Sequence, residues 1–206
     1  MKTYKIFVEG VADQRFMAQF MKHLFGDTAT ESCIIKTDGC SNLMAKDKED
    51  VYVNEMKRTT DDGGVNLVIF DADNDCARRR EEIMEWKKRK GVNLELFLFP
   101  DNVSQGAFED LLERIINPEN KEVMDCWNQY EDAIGGIKLD WKHGEPLTIP
   151  AKKTKIYAYL EVLLGKSKSE KEKIKEKNRD YTNANHWDLN ASSLDSLVDF
   201  LKKNLQ

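Results

Sequence analysis

Three aspartates follow one another closely at the end of a short apolar run. Asp71, Asp73 and Asp75 come directly after residues 67–70, within the stretch NLVIFDADND. Carboxylates this close repel one another, and a bound cation, protonation or separation into solvent relieves the repulsion. Because oxygen ligands select hard cations, the spacing favours a Mg²⁺ or Mn²⁺ site. For Asp75 taken alone, the favoured role is to cap the helix that follows.

The apolar run before these aspartates predicts a strand that is covered on both faces of a parallel sheet. A second strand pattern, YKIFV, ends directly at Glu9, and apolar residues at helical spacing over 12–25 place Asp13 in the first turn of a helix. The carboxyl ends of parallel strands lie at one edge of the sheet, where α/β proteins bind their ligands. The expected metal ligands at that edge are Glu9, Asp13, Asp71 and Asp73. For any one of them by itself, the alternative is helix capping or turn formation.

Up to residue 118 the chain alternates between strand and helix patterns. The predicted elements are strands over 4–8, 32–36, 67–70 and 93–99 and helices over 12–25, 41–58, 77–90 and 108–116. This order calls for an α/β fold, with a mostly parallel sheet of about four strands and helices on both faces. We therefore assign residues 1–118 to one α/β domain.

Beyond residue 118 the pattern changes to helices without further strands. Helices are predicted over 121–134, 151–164 and 193–205, with Asp188 or Ser192 as the cap of the last one. The Lys/Glu-rich stretch 165–179 is typical of a solvated helix or a mobile loop. We expect residues 119–206 to form a helical C-terminal extension that packs on the same domain.

Composition and cysteine usage narrow the class of protein. The chain of 206 residues has a net charge of -5, which argues against a protein that coats nucleic acid by bulk charge. Its four cysteines form no close pairs, which favours free thiols in a reducing compartment over zinc binding or disulfides. No apolar run approaches the roughly 20 residues of a membrane span, and no secretion signal precedes the first strand pattern. We therefore expect a cytoplasmic protein without a membrane segment.

The two acidic corners together resemble the Toprim domain, which topoisomerases, DnaG-type primases and OLD (overcoming lysogenisation defect) family nucleases share. The matching stretches are VEGVAD, which contains Glu9, and VIFDADND. In that family one strand ends in Glu-Gly and another in Asp-x-Asp, and these acids bind Mg²⁺ for phosphoryl transfer. The resemblance implies that Glu9 is the family's glutamate and that Asp71 and Asp73 are its Asp-x-Asp pair. Asp13 falls where OLD-type nucleases carry a further acid.

The chain is more narrowly similar to small stand-alone Toprim-like proteins of bacteria. In those proteins a strand ends in proline, a glycine and an acidic helix start follow, and a lysine-rich helix start comes later. Here the stretches FPDNVSQGAFEDLL and AKKTK match these features. Glu109, in the first stretch, is expected either to act as a metal ligand or general base or to cap its own helix. Lys155, in the second, is expected either to contact a phosphate or to be solvated.

The function that these features predict is metal-dependent hydrolysis of phosphodiester bonds in DNA or RNA, that is, a nuclease. One alternative is a phosphatase or phosphotransferase that uses Asp71 as its nucleophile, which leaves Glu9 without a role. Another alternative is a non-catalytic Toprim-like module that binds a protein partner, and a homodimer is also open. The basic cluster at residues 78–80 would lie beside the metal, where it could hold a nucleic-acid backbone.

Overall fold

The computed structural model describes residues 2–26, 31–45 and 49–206 and has an all-parallel sheet at its centre. The strands are β1 (Tyr4–Val8), β2 (Ile34–Lys36), β3 (Val65–Asp71) and β4 (Glu95–Phe99), in the spatial order β2-β1-β3-β4. The predicted α/β class, with a parallel sheet of four strands and a helical C-terminal region, is confirmed.

The helices alternate with the strands in the first half of the chain and follow one another in the second. The α-helices of the described residues are α1 (Val11–Phe25), α2 (Cys40–Leu43), α3 (Glu49–Asp61), α4 (Cys76–Lys90), α5 (Phe108–Arg114), α6 (Lys121–Gly136), α7 (Lys152–Leu164), α8 (Lys168–Ile174) and α9 (Asp195–Leu205). Single 3-10 turns cover Glu31–Cys33, Pro118–Asn120, Asp140–Lys142, Glu176–Asn178 and Ser192–Leu194. None of the helices in these residues is both long enough and apolar enough to cross a membrane.

Alternating side chains of the strands build a separate core on each face of the sheet. In β3, Leu67 and Ile69 pack in one core, whereas Val68 and Phe70 pack in the other. Successive residues of a strand point to opposite faces, which is why an uninterrupted apolar run suits a strand covered on both sides. Residues of α1, α5, α7 and α9 contribute to the first core, and residues of α3 and α4 contribute to the second.

The C-terminal region shares the first of these cores. The Tyr181 ring lies edge-on to the Phe16 ring of α1, with centroids 5.4 Å apart, and the Trp187 ring lies 5.6 Å from the Tyr181 ring. Trp187 is 1% exposed, as expected for a core anchor. The helical region therefore packs directly on the helix that carries Asp13.

Several predicted boundaries differ from the observed ones. The helix predicted over 41–58 is two helices, α2 and α3, and residues 46–48 between them lie outside the described part of the chain. The strand predicted over 32–36 begins only at Ile34, because a 3-10 turn precedes it. The stretch 165–179 is not wholly solvated, since Ile174 and Arg179 are buried.

The predicted cap of the last helix is wrong. Leu194 precedes α9 and makes no side-chain cap bond, and the Asp188 carboxylate instead accepts a hydrogen bond from the Asn190 N–H at 2.9 Å. The 3-10 turn Ser192–Leu194 runs directly into α9, so Ser192 lies before the first turn of the helix rather than at its cap. A cap residue has to adjoin the first helical turn to reach its N–H groups.

Candidate functional site

Glu9 connects the ends of two neighbouring strands. It follows Val8, which pairs with Ile69 of β3, so the chain leaves β1 beside the last residues of β3. The Glu9 carboxylate accepts hydrogen bonds from the Asp71 N–H at 3.0 Å and from the Cys40 N–H, at the start of α2, at 3.3 Å. Burial raises the pKa of Glu9, and these two N–H groups oppose the rise. The two acidic corners therefore meet at one edge of the sheet.

Asp71 is the last residue of β3 and is largely buried by the helices around it. Its Oδ1 accepts a hydrogen bond of 2.8 Å from the N–H of Phe108, the first residue of α5. Burial raises the pKa of Asp71 to about 9, and the negative charges of Asp13 and Glu9 add to the rise. The carboxyl group therefore keeps its proton at neutral pH unless a positive charge is supplied.

Asp13 lies in the first turn of α1 and is only 7% exposed. Its Oδ1 is buried and has no hydrogen-bond partner, while its Oδ2 lies against Gly10, where a Cβ atom would come within 2.9 Å. Burial, together with the negative charges of Glu9 and Glu109, raises the pKa of Asp13 to about 7. A buried carboxylate oxygen without a partner is costly, because it has given up water and gained nothing in exchange.

Glu109 belongs to the same acidic group. It lies in the first turn of α5, partly exposed, and its negative charge raises the pKa of both Asp13 and Asp71. The helix-capping alternative for Glu109 is wrong, because the carboxylate that accepts from the Ala107 N–H, at 2.7 Å, is that of Asp110. The Glu109 carboxylate is therefore available as a metal ligand or general base at the edge of the sheet.

The Asp73 carboxylate has a cation as its partner. Its side chain pairs with the guanidinium of Arg79 in α4, and its backbone has a φ of 51°. The Asp73 C=O accepts a 2.7 Å hydrogen bond from the Gly106 N–H, which ties this corner to the loop before α5. Aspartate is one of the few residues that tolerate this left-handed conformation.

Asp75 caps α4, as predicted for this residue alone. Its Oδ1 accepts a hydrogen bond from the Arg78 N–H at 3.0 Å. The three aspartates of the DADND stretch thus have three different surroundings. Only Asp71 joins Glu9 and Asp13.

The Lys155 ammonium group does not lie at the acidic edge of the sheet. Its Nζ donates to Glu113 Oε2 at 2.7 Å and to Asn128 Oδ1 at 2.8 Å, and it lines an apolar groove of about 490 Å³ between α6 and α7. The lysine at the acidic edge is Lys152, one turn earlier in α7, whose Nζ pairs with Asp110. Lys152 lines a polar pocket of about 370 Å³ together with Asp73, Asn74, Gln105, Gly106, Ala107 and Asp110.

Arg79 is the functional candidate that sequence reasoning did not single out. The basic cluster at residues 78–80 is visible in the sequence, but its three side chains point to different places. Arg78 is 65% exposed and pairs with Glu82, whereas Arg80 donates to the Asn102 C=O and side chain at 2.9 and 2.7 Å. Of the three side chains, the guanidinium of Arg79 is the one recorded in an ion pair with an acid of the DADND stretch. Its helical position, one turn after the Asp75 cap, is the signal that could have identified it.

The acidic group is not a ready-made metal site. Within residues 2–26, 31–45 and 49–206, no three His, Cys, Asp or Glu side chains are already arranged to hold a metal ion. The unpartnered oxygen of Asp13 and the clustered carboxyl groups of Glu9 and Asp71 nevertheless suit a hard cation, because it would balance their charge and accept oxygen ligands.

A parallel sheet with acids at the carboxyl ends of its strands defines a class of α/β proteins that bind ligands at that edge. The model of the family described as "Protein of unknown function (DUF3226)" matches residues 3–206, and the chain belongs to this family. The match covers both the sheet and the C-terminal helices. No curated protein and no solved structure matches the chain.

Proposed function

We propose that the acidic edge binds Mg²⁺ or Mn²⁺ and that the protein hydrolyses phosphodiester bonds in DNA or RNA. The observation that carries the proposal is the unpartnered Oδ1 of Asp13, buried beside the carboxyl groups of Glu9 and Asp71, whose pKa values are raised by burial and by neighbouring negative charges. A stable fold rarely keeps such a group without a use for it, and perturbed acids in a cleft are typical of functional sites.

Glu9, Asp13 and Asp71 would hold the cation, and Asp73 would join them when its pair with Arg79 opens. When bound, the cation supplies an activated water and balances the charge of the phosphate in the transition state. Glu109, partly exposed at the rim of the group, is positioned to accept a proton.

The phosphate contact expected of Lys155 suits Lys152 better. Lys155 is buried between Glu113 and Asn128, whereas Lys152 opens onto the polar pocket beside Asp73. A lysine at that position would contact an oxygen of the phosphodiester.

The resemblance to the Toprim domain agrees with this use of the acids. The resemblance lies within the α/β domain and implies a nucleic acid as the partner. We also propose a reducing, cytoplasmic location, because the cysteines form no disulfide in the described part of the chain; they are Cys33, Cys40, Cys76 and Cys126.

An aspartyl-nucleophile phosphatase is less well supported. That scheme leaves the contact of the Glu9 carboxylate with the Asp71 N–H without a role.

The test is a cleavage assay of the full chain on plasmid DNA, single-stranded DNA and RNA, with Mg²⁺ or Mn²⁺. Asp71→Asn and Asp13→Asn should each lower cleavage by about 100-fold or more. Asp75→Asn is the matched control, because it makes the same change four residues after Asp71, at a helix cap outside the acidic group. If the wild type cleaves nothing with either ion, the enzyme proposal is wrong and a non-catalytic module remains. Recovery of a phosphoaspartate at Asp71 would favour the phosphatase.

A further inference from the structure

Arg79 is a partly buried cation at the rim of the acidic group. Its guanidinium pairs with Asp73 and lies 3.5 Å from Glu82, and its side chain is only 19% exposed. Its positive charge also opposes the burial that raises the pKa of the Cys40 thiol, and the Cys40 N–H donates to the Glu9 carboxylate at 3.3 Å. Arg79 thus lies between the two acidic corners, next to the candidate cation site.

The backbone of Asp73 is fixed by a hydrogen bond, whereas its side chain has room to change partner. The hydrogen bond from the Gly106 N–H to the Asp73 C=O anchors the residue, and the side chain is 49% exposed. The Asp73 carboxylate now lies on Arg79, yet its charge is close enough to Glu9 to raise the pKa of that group. Rotation about the side-chain bonds is therefore the motion that would carry Asp73 from Arg79 to the other acids.

We infer that Arg79 and the divalent cation compete for Asp73, and that the guanidinium released by the cation becomes a phosphate ligand of the site. This inference rests on the proposed function, since it concerns the same cation and a phosphodiester substrate. It assigns Asp73 to two states: paired with Arg79 before the cation binds, and turned toward Glu9 and Asp71 afterwards.

The chemistry of the two partners favours this exchange. A guanidinium presents a planar fork of N–H donors that fits a carboxylate or a phosphate equally well. An ion pair in contact with solvent is weak, so a divalent ion with several oxygen ligands can take the carboxylate. The freed arginine would then keep only its 3.5 Å contact with Glu82, and a phosphate oxygen would take the place of the Asp73 carboxylate. Cation and phosphate would therefore bind cooperatively, and each would strengthen the other by the same factor.

The first experiment measures Mn²⁺ binding to the full chain by titration calorimetry, without phosphate. Arg79→Gln should bind Mn²⁺ several-fold more tightly than the wild type, because it removes the competitor for Asp73. Arg78→Gln is the matched control: it removes the same charge from the adjacent residue, whose side chain points to solvent and pairs with Glu82. It should bind Mn²⁺ like the wild type.

A double-mutant cycle separates competition from a general change in charge. In an Asp73→Asn background the carboxylate is gone, so Arg79→Gln should no longer tighten Mn²⁺ binding. If Arg79→Gln tightens binding equally with and without Asp73, the effect is long-range electrostatics and the competition is disproved. Thermal unfolding of each variant checks that the fold is intact.

The second experiment measures the phosphate side of the exchange. A fluorescent phosphorothioate oligonucleotide, which resists cleavage, is titrated with protein and followed by anisotropy. Mn²⁺ should tighten binding to the wild type by about fivefold or more, in the usual range of coupling between two sites. Arg79→Gln should lose this dependence on Mn²⁺, whereas Arg78→Gln should keep it.

The outcomes distinguish failure of this inference from failure of the proposed function. If the wild type binds Mn²⁺ and Asp71→Asn does not, but Arg79→Gln behaves like the wild type in both titrations, only the role of Arg79 is overturned. If the wild type binds no Mn²⁺, the cation site is absent, and the proposed function and the inference are both wrong.

Discussion

The sheet edge and the C-terminal helical region both bury charged groups, but the partners of those groups differ. In the helical region, the Lys155 ammonium donates to Glu113 and Asn128, and the Arg179 guanidinium donates to the Ile174 C=O. At the sheet edge, by contrast, Asp13 is buried beside other acids. Among the described residues, Asp13 is the one charged side chain with a buried oxygen that has no hydrogen-bond partner.

This difference shows that burial of charge does not by itself indicate a functional site. A buried cation with well-placed acceptors holds the fold together, and removing it leaves those acceptors unpaired. A group of like charges instead lowers the stability of the fold, and it suits a protein that gains a ligand in return. The two regions should therefore respond in opposite ways when their charges are removed.

The largest effect is expected in the helical region, on removal of Lys155. Lys155→Ala leaves Glu113 and Asn128 without their donor and opens a gap beside the apolar groove, so the free energy of unfolding should fall by about 3 kcal/mol. Urea denaturation measures it. Lys153→Ala is the control, because Lys153 is mostly exposed and pairs with Glu176, and its loss should change stability by less than about 1 kcal/mol. Equal effects of the two changes would contradict the structural role of Lys155.

The next largest effect concerns the backbone of the sheet edge. Gly106 has a φ of 138°, and a Cβ atom there would come within 2.6 Å of Asp110 Oδ2 and 3.1 Å of Pro100 Cδ. Gly106→Ala should lower the free energy of unfolding by about 2 kcal/mol and weaken Mn²⁺ binding, because this loop anchors Asp73. Gly136→Ala, in α6, is the matched change in the helical region, where no atom lies within 4 Å of the added carbon. A stability loss of similar size at Gly136 would show that the edge is not specially constrained.

The smallest expected effect is a dependence of stability on pH that comes from the acidic group. The folded-state pKa values of Asp13 and Asp71 are raised by burial from 3.8 to about 7 and about 9. The folded protein therefore keeps protons that the unfolded chain releases above pH 4, and its stability falls as the pH rises through the folded pKa values. Between pH 5 and pH 8 in EDTA, the free energy of unfolding should drop by about 1 kcal/mol or more.

The same pH series, repeated on two variants, shows whether the fall in stability comes from the acidic group. Asp13→Asn should reduce the drop, because the amide does not ionise, whereas Asp75→Asn should leave it unchanged. Mn²⁺ at pH 8 should restore the stability of the wild type but not that of Asp13→Asn. A wild-type stability that rises between pH 5 and pH 8 in EDTA would contradict the repulsion among these acids.

Much of the sheet could be predicted from the sequence because local pattern and burial agree there. The pattern YKIFV defines β1, Tyr4–Val8, and the meeting of Glu9 with Asp71 follows from parallel strands that end at one edge. The break between α2 and α3 could not be foreseen, since the polar stretch has no proline and no clear change of period. Helix boundaries of this kind depend on contacts that are distant in sequence.

The partners of the site residues were harder to predict than their positions. Lys152 and Lys155 occupy neighbouring turns of one helix, and the sequence does not say which of them reaches the acids and which reaches Glu113. Asp73 likewise looks equivalent to Asp71, but its left-handed backbone and its pairing with Arg79 arise from the loop that ends at Gly106. The direction in which such a side chain points depends on tertiary packing.

The contacts of Tyr181 with Phe16 and Trp187 determine how the protein responds to proteolysis and to truncation. A protease that cuts the mostly exposed stretch 137–150 should leave two fragments that stay associated, because these rings belong to a single core. Shortening the chain to residues 1–118 would instead uncover the Phe16 and Phe108 rings and favour aggregation. The two parts of this chain are therefore expected to fold as one unit.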